Sequence, residues 1–180
     1  MSHDVILVPL KRFDIAKVRL RHSGVADVTL VARNLAIEVL EACRPRPVIV
    51  IGESEEIANF ARDRGVESFE SEAPDLNEAV SLAYRSIRDR YNRVIIAHGD
   101  LRYPAGLGSF VPEEGITVYT DHRGTGTNVL TLPTGLDFRF GYGPGSAQHH
   151  VDEARRLDTP SKLITDSNWR FDVDEFDDLG

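Results

Sequence analysis

Carboxylates, cations and glycine-rich turns occur in this sequence where phosphate chemistry would need them. Asp100 closes the run V-I-I-A-H-G-D. An acid at the end of an apolar strand, preceded by Gly, is placed to hold a hard divalent cation at a sheet edge. A turn former would look the same. Asp172 and Asp174 form D-V-D after W-R-F. In an extended segment, carboxylates at i and i+2 share one face. The plainer reading is an acidic tail, since Glu175, Asp177 and Asp178 follow, and only one of the pair is expected to matter. Lys11, Arg12, Lys17 and Arg19 cluster directly after the apolar run V-I-L-V-P. Cations there could neutralise a triphosphate, and a solvated loop and helix face is the bland alternative.

Residues 121–150 hold two glycine-rich turns, 124–128 and 141–146, separated by the strand-like run 129–133. Glycines let backbone approach a ligand, and free N–H groups at a helix start attract anions. Thr125, Thr127 and Ser146 add hydroxyls, and a helix is expected from Ser146, so the stretch reads as a cradle for a phosphate or carboxylate. His150 lies four residues after Ser146 on the same helical face and is expected to point towards that cradle. His149 and His150 do not suggest zinc, because adjacent helical side chains diverge by about 100° and no Cys or His stands at ligand spacing. Covalent catalysis has little support. Ser146 is not in a G-x-S-x-G elbow, and Cys43 falls in an amphipathic helix pattern.

Hydrophobic periodicity supplies the elements that must position these groups. Residues 5–9 and 48–51 read as strands buried on both faces. Between them Val28, Ala32, Leu35, Val39 and Ala42 recur at helical spacing from about Asp27, until Pro45 and Pro47 intervene. Ser54 can cap a helix with Glu55 and Glu56 in its first turn, and Gly65 stops it. Residues 66–69 suggest a short strand. Asp75 with Glu78 resembles a capping box before a helix carrying Leu76, Val80, Ala83 and Ile87 on one face. Residues 94–97 and 116–120 are further strands, with a Pro- and Gly-rich loop between them, and Leu163 and Ile164 mark a weak strand. This alternation predicts an α/β fold: a Rossmann-like, mostly parallel sheet with helices on both faces. Ligands of such sheets bind beyond the carboxyl ends of the strands.

At 180 residues a single domain over residues 1–180 is expected. The net charge of -8 argues against nonspecific nucleic-acid binding, which needs a positive field. One cysteine rules out an intramolecular disulfide. No apolar run approaches the roughly 20 residues of a membrane span, and no signal peptide is recognisable, so a cytoplasmic protein with no membrane partner is expected.

In order along the chain, V-P-L-K-R-F-D-I-A-K-V-R-L, D-L-N-E-A around Asn77, H-G-D at Asp100, G-T-G-T-N, Y-G-P-G-S-A-Q-H-H and the late D-V-D resemble the CofC/FbiD-type guanylyltransferases. The resemblance implies a nucleotidyltransferase fold of the nucleotide-diphospho-sugar transferase type. It implies that GTP is joined to phosphoenolpyruvate or 2-phospho-L-lactate with release of pyrophosphate, in deazaflavin coenzyme F-420 biosynthesis. It also implies Mg2+ on Asp100 and Asp172, with Asp174 alongside in the same D-V-D. Thr127, Gly143 and Ser146 match the positions holding the acceptor's phosphate and carboxylate. Lys11 and Lys17 match the basic segment at the nucleotide phosphates, which Arg12 adjoins. Asn77 would lie near the guanine or ribose. Gly141-Tyr142 looks like an insertion, leaving Gly141 as the alternative acceptor glycine. Expected partners are GTP and a phosphorylated three-carbon acid, with a homodimer as candidate assembly. Rival readings are transfer to another phosphorylated acceptor (3-phosphoglycerate, molybdopterin or a sugar phosphate) and a non-catalytic nucleotide-binding homologue. The absence of L-A-G-G-x-S-x-R-M-G weighs against molybdopterin and sugar phosphates; Asp100, Asp172 and G-T-G-T weigh against the non-catalytic homologue.

Overall fold

Runs of Val and Ile build the centre of the sheet. A computed structural model describes residues 4–15 and 27–173. Within them lie β1 (Asp4–Pro9), α1 (Val28–Ala42), β2 (Val48–Gly52), α2 (Glu55–Arg62), β3 (Glu67–Glu70), α3 (Leu76–Ile87) and β4 (Arg93–Ala97). The chain continues through β5 (Ile116–Thr120), β6 (Thr127–Pro133), α4 (Ser146–Arg156), β7 (Ser161–Ile164) and a 3-10 turn, Asn168–Arg170. The strands form one sheet in the order β3-β2-β1-β4-β6-β5-β7. All run parallel except β6, which is antiparallel to both β4 and β5.

Strand alternation divides the core into two layers. Val5 and Leu7 of β1 face one way, with Val94 and Ile96 of β4, and pack against Val80, Ala83 and Ile87 of α3 and Ala147 and Ala154 of α4. Ile6 and Val8 face the other way, with Ile95 and Ala97, against Ala36, Val39 and Leu40 of α1 and Ile57 and Phe60 of α2. Helices therefore cover both faces of a mostly parallel sheet, as the periodicity predicts.

The caps follow local chemistry. Ser54 Oγ accepts the Ile57 N–H at 3.4 Å and Asp75 Oδ1 accepts that of Glu78 at 3.0 Å. After α2, Gly65 at φ 65° closes a Schellman turn, in which Val66 N–H donates to Ala61 O and Gly65 N–H to Arg62 O.

The observed elements depart from expectation in three places. β3 lies one residue later than expected. β6 begins at Thr127, so Thr127 and Asn128 are strand residues rather than part of the turn. Cys43 caps the end of α1 instead of lying within it. Lys17, Arg19 and Asp174 lie outside the described residues. No helix among the described residues is long and apolar enough to cross a membrane.

Candidate active site

The carboxyl ends of β1 and β4 are neighbours in the sheet, and the loops leaving them meet at Gly99. A Cβ there would come within 2.2 Å of Leu10 Cδ2, so the glycine lets the two loops touch. Lys11 and Asp100, one step beyond on each loop, are thereby brought to the same rim. Lys11 is exposed and Asp100 half-buried. Arg12 is held by its own loop: its guanidinium pairs with Asp14 at 2.5 Å, both side chains about half exposed (47% and 50%).

Asp172 reaches this rim from 72 residues further along the chain. Leu101 and Asp172 form an isolated antiparallel bridge. On either side of it, Arg102 N–H donates to Phe171 O (2.8 Å) and Val173 N–H donates to Asp100 O (3.0 Å). The backbones of Asp100 and Asp172 are thus tied together. Asn128, buried at the start of β6, secures the junction. Its amide nitrogen donates to Trp169 O at 3.0 Å and to Asp172 Oδ1 at 3.2 Å, while its own carbonyl accepts the His98 N–H at 3.1 Å.

Trp169 anchors the arm. Its ring makes edge contacts with Phe110 and Tyr119, centroids 4.8 Å away in each case, and its indole N–H donates to Ala105 O at 3.0 Å. The loop bearing Ala105 and Phe110 is itself pinned to the end of α1. Gly108 N–H donates to Ala42 O (2.8 Å), and Arg46 donates to Leu107 O (2.7 Å) and Phe110 O.

Asp100 and Asp172 are thus two acids whose backbones meet at one rim, and carboxylate oxygens are the donors that a small hard cation takes. No group of three or more His, Cys, Asp or Glu side chains that could hold a metal occurs among the described residues. The adjacent histidines serve separate tasks: the His149 ring bonds the Arg139 carbonyl (Nε2, 3.0 Å), and His150 turns inward. Burial pushes the Cys43 thiol up to about 12, which keeps it protonated and inert.

The two glycine turns play different parts. In the first, Asp121 Oδ1 already accepts the N–H groups of Thr125 and Gly126, both at 2.9 Å. Those amides are spent, so this turn is no anion nest by itself. Its role is to dock, because Thr125 O accepts the N–H of Ala147 in the first turn of α4 (3.0 Å). The second turn also spends amides internally, since the Ser146 N–H donates to Gly143 O (3.1 Å) and that of Ala147 to Thr125 O; what it offers is open space at Gly143 and the Ser146 hydroxyl. Gly145 precedes α4 without any side-chain cap, and Ser146 stands at the first helical position, nearly buried. A Cβ at Gly143 (φ 128°) would meet nothing within 4 Å, whereas one at Gly141 would strike the His149 ring at 2.3 Å. Open space therefore exists at Gly143, whereas a side chain at Gly141 would have to displace the His149 ring.

The segment leading to that turn forms no strand, and side chains satisfy its backbone. Glu153 accepts the Arg139 N–H (2.8 Å), His150 Nε2 accepts that of Gly141 (3.2 Å), and Asn77 grips Tyr142. Asn77 Oδ1 accepts the Tyr142 N–H at 2.6 Å and Nδ2 donates to the Tyr142 carbonyl at 3.2 Å. Asn77, expected near the guanine or ribose, has its amide engaged with the loop that carries Gly143.

His150 points towards the cradle, as its helical position predicts. It is fully buried and faces Thr127, with Nδ1 3.0 Å from Thr127 Oγ1, so it supports the cradle from behind rather than meeting a ligand. Sequence reasoning missed Asn128 as a linchpin, Asp121 as the turn's internal acceptor and Trp169 as an anchor. The only signal for the last was its being the single Trp of the chain.

Burial, reinforced by His149 and His98, drives the His150 imidazole down to about 3, with Glu153 pulling weakly the other way. In the unfolded chain it titrates near 6.5. Between those values the unfolded chain binds the extra proton, so this contribution to stability is complete above about pH 6.5 and is lost as pH falls towards 3. A loss of about 2 kcal/mol is expected between pH 7 and pH 5. Melting followed by circular dichroism should show the decline. It should be largely absent in His150→Gln, and an unchanged slope in that variant would contradict the assignment.

Comparison with known proteins agrees with this fold. A nucleotidyl transferase from Methanothermobacter thermautotrophicus superposes with a TM-score of 0.68 at 12% identity, covering 98% of this chain and 94% of that one. The 4-diphosphocytidyl-2C-methyl-D-erythritol synthase of Anaerococcus prevotii superposes at 0.65 with 5% identity, covering 99% and 95%. The fold is that of the nucleotidyltransferases. More closely, the chain belongs to the family described as Guanylyl transferase CofC like, which matches residues 4–180. It is 31% identical to the phosphoenolpyruvate guanylyltransferase of Chloroflexus aggregans, over 97% of this chain and 94% of that relative.

Proposed function

We propose that this chain transfers the guanylyl group of GTP to a phosphorylated three-carbon acid, phosphoenolpyruvate or 2-phospho-L-lactate, and releases pyrophosphate, serving deazaflavin coenzyme F-420 biosynthesis. The observation that carries the reading is the bridge tying Asp172 to the Asp100 loop beside the Thr127–Ser146 cradle. The names of relatives support phosphoenolpyruvate as the first acceptor to test.

The reaction joins two anions, and the chain's own groups address that difficulty. The acceptor's phosphate oxygen is already charged at neutral pH, so no strong general base is required. That oxygen bonds to the α-phosphorus of GTP, the bond from this phosphorus to the bridging oxygen of pyrophosphate breaks, and pyrophosphate departs with the electron pair. Lys11, with Lys17 from the same basic segment, offsets charge on the nucleotide phosphates. Thr127, Gly143 and Ser146 aim the acceptor for in-line attack. Asp100 and Asp172, with Asp174 nearby in sequence, are the residues that would hold Mg2+, whose contribution when bound is to offset charge at the phosphates.

Incubation of the protein with GTP, Mg2+ and each acid in turn, followed by measurement of pyrophosphate, tests the reading. Release is expected with phosphoenolpyruvate or 2-phospho-L-lactate and should be weaker with ATP or CTP. GTP binding without release for any phosphorylated three-carbon acid would make the chain a nucleotide-binding homologue instead.

A further inference from the structure

His150 is buried, yet its two ring nitrogens hold opposite ends of the acceptor cradle. Its Nε2 lies 3.2 Å from the N–H of Gly141. A backbone amide can only donate, so Nε2 must carry the lone pair. The proton of the neutral ring then sits on Nδ1, 3.0 Å from Thr127 Oγ1, which must accept it. That choice leaves the Thr127 hydroxyl proton directed elsewhere. Thr120, paired opposite Thr127 in β5, does not take it, because its buried Oγ1 has no hydrogen-bond partner. Thr127 is thus a nearly buried hydroxyl with an unspent proton. It stands beside the first turn of α4, which has no side-chain cap.

We propose that His150 is a positioning residue for the acceptor: anchored by the Gly141 amide, it fixes the Thr127 hydroxyl as a hydrogen-bond donor to the acceptor's anionic end. This rests on the guanylyl-transfer reading. It predicts coupling between two side chains that a merely structural histidine would not produce. Loss of the donor should cost one charge-assisted hydrogen bond, raising the acceptor KM roughly tenfold and leaving the GTP KM unchanged.

The test is a double-mutant cycle on Thr127→Val and His150→Gln, read as acceptor KM, GTP KM and kcat in the pyrophosphate assay. Calorimetric titration of phosphoenolpyruvate into protein saturated with a GTP analogue uncleavable between the α- and β-phosphorus provides a second readout. Each single variant is expected to raise the acceptor KM and Kd, with the double variant scarcely worse than either. His150→Asn, whose amide overlays Nδ1, should recover part of the loss, and His150→Gln, whose amide overlays Nε2, should not. Additive penalties, equal rises in both KM values, or an acceptor KM unmoved by Thr127→Val would overturn the proposal. If the histidine variants do not fold, Thr127→Ser against Thr127→Val tests the donor and nitrogen NMR of the wild-type His150 ring tests the positioning, a proton on Nε2 rather than Nδ1 overturning the proposal. Wild-type protein that turns over while the cycle is additive defeats this inference alone. Wild-type protein that neither turns over nor binds the acid defeats the function and this inference together.

Discussion

Asp100→Asn should reduce turnover by about a thousandfold or more while leaving the fold intact. The substitution preserves shape and removes one negative charge from a half-buried position at the end of β4. Its backbone partnership, the Asp100 carbonyl accepting the Val173 N–H at 3.0 Å, does not involve the side chain. The loss should therefore appear in kcat, as when a group that stabilises developing charge is deleted, and not in melting temperature. Asp172→Asn is a companion test. An Asn carbonyl oxygen can still accept from Asn128, so that hydrogen bond can persist while the charge disappears. Initial rates of pyrophosphate release, beside circular dichroism melts, give the answer. An Asp100→Asn variant with turnover near wild type would remove this residue from the mechanism.

Trp169→Ala should be the most damaging single substitution for stability, costing about 3–5 kcal/mol. The indole is 7% exposed and packs edge-on against Phe110 and Tyr119. Its removal leaves a void that the sheet edge and the pinned 102–115 loop cannot easily close, and it strands the Ala105 carbonyl. Against the 5–15 kcal/mol typical of a whole domain, that is a large share. The same residue's carbonyl receives Asn128, so the Asp172 arm should loosen and activity at low temperature should fall as well. Urea denaturation followed by circular dichroism measures the first effect and pyrophosphate release the second. Trp169→Phe should be milder on both. A fully stable but inactive Trp169→Ala would show that the indole positions Asp172 without contributing to the core.

The sheet was legible because its centre is written in runs of Val and Ile, and the helix starts because Ser54 and Asp75 cap through their own side chains. The start of β6 was misread because a glycine turn and a strand abut there, and Thr and Asn suit either. The arrival of Asp172 beside Asp100 rests on a single bridge between distant segments, and no periodicity announces such a contact. Asn77 gripping Tyr142, 65 residues away, is equally silent in the sequence. The reach of Asp121 to the amides of Thr125 and Gly126 is local, by contrast. An Asp four and five residues before exposed turn amides was a readable sign that the first turn would satisfy itself.

The reversal of β6 changes which end of the strand meets the rim. A strand running with its neighbours would deliver only its final residues to the ligand rim. Running against them, β6 delivers its first two, Thr127 and Asn128, so a segment just leaving a turn reaches the place where its neighbours terminate. The junction that the Asn128 amide makes with Trp169 and Asp172 is thereby built at the head of the inverted strand, beside the ends of its parallel neighbours. A change at that head is therefore felt on both the β4 loop and the Asp172 arm, because Asn128 is bonded to each.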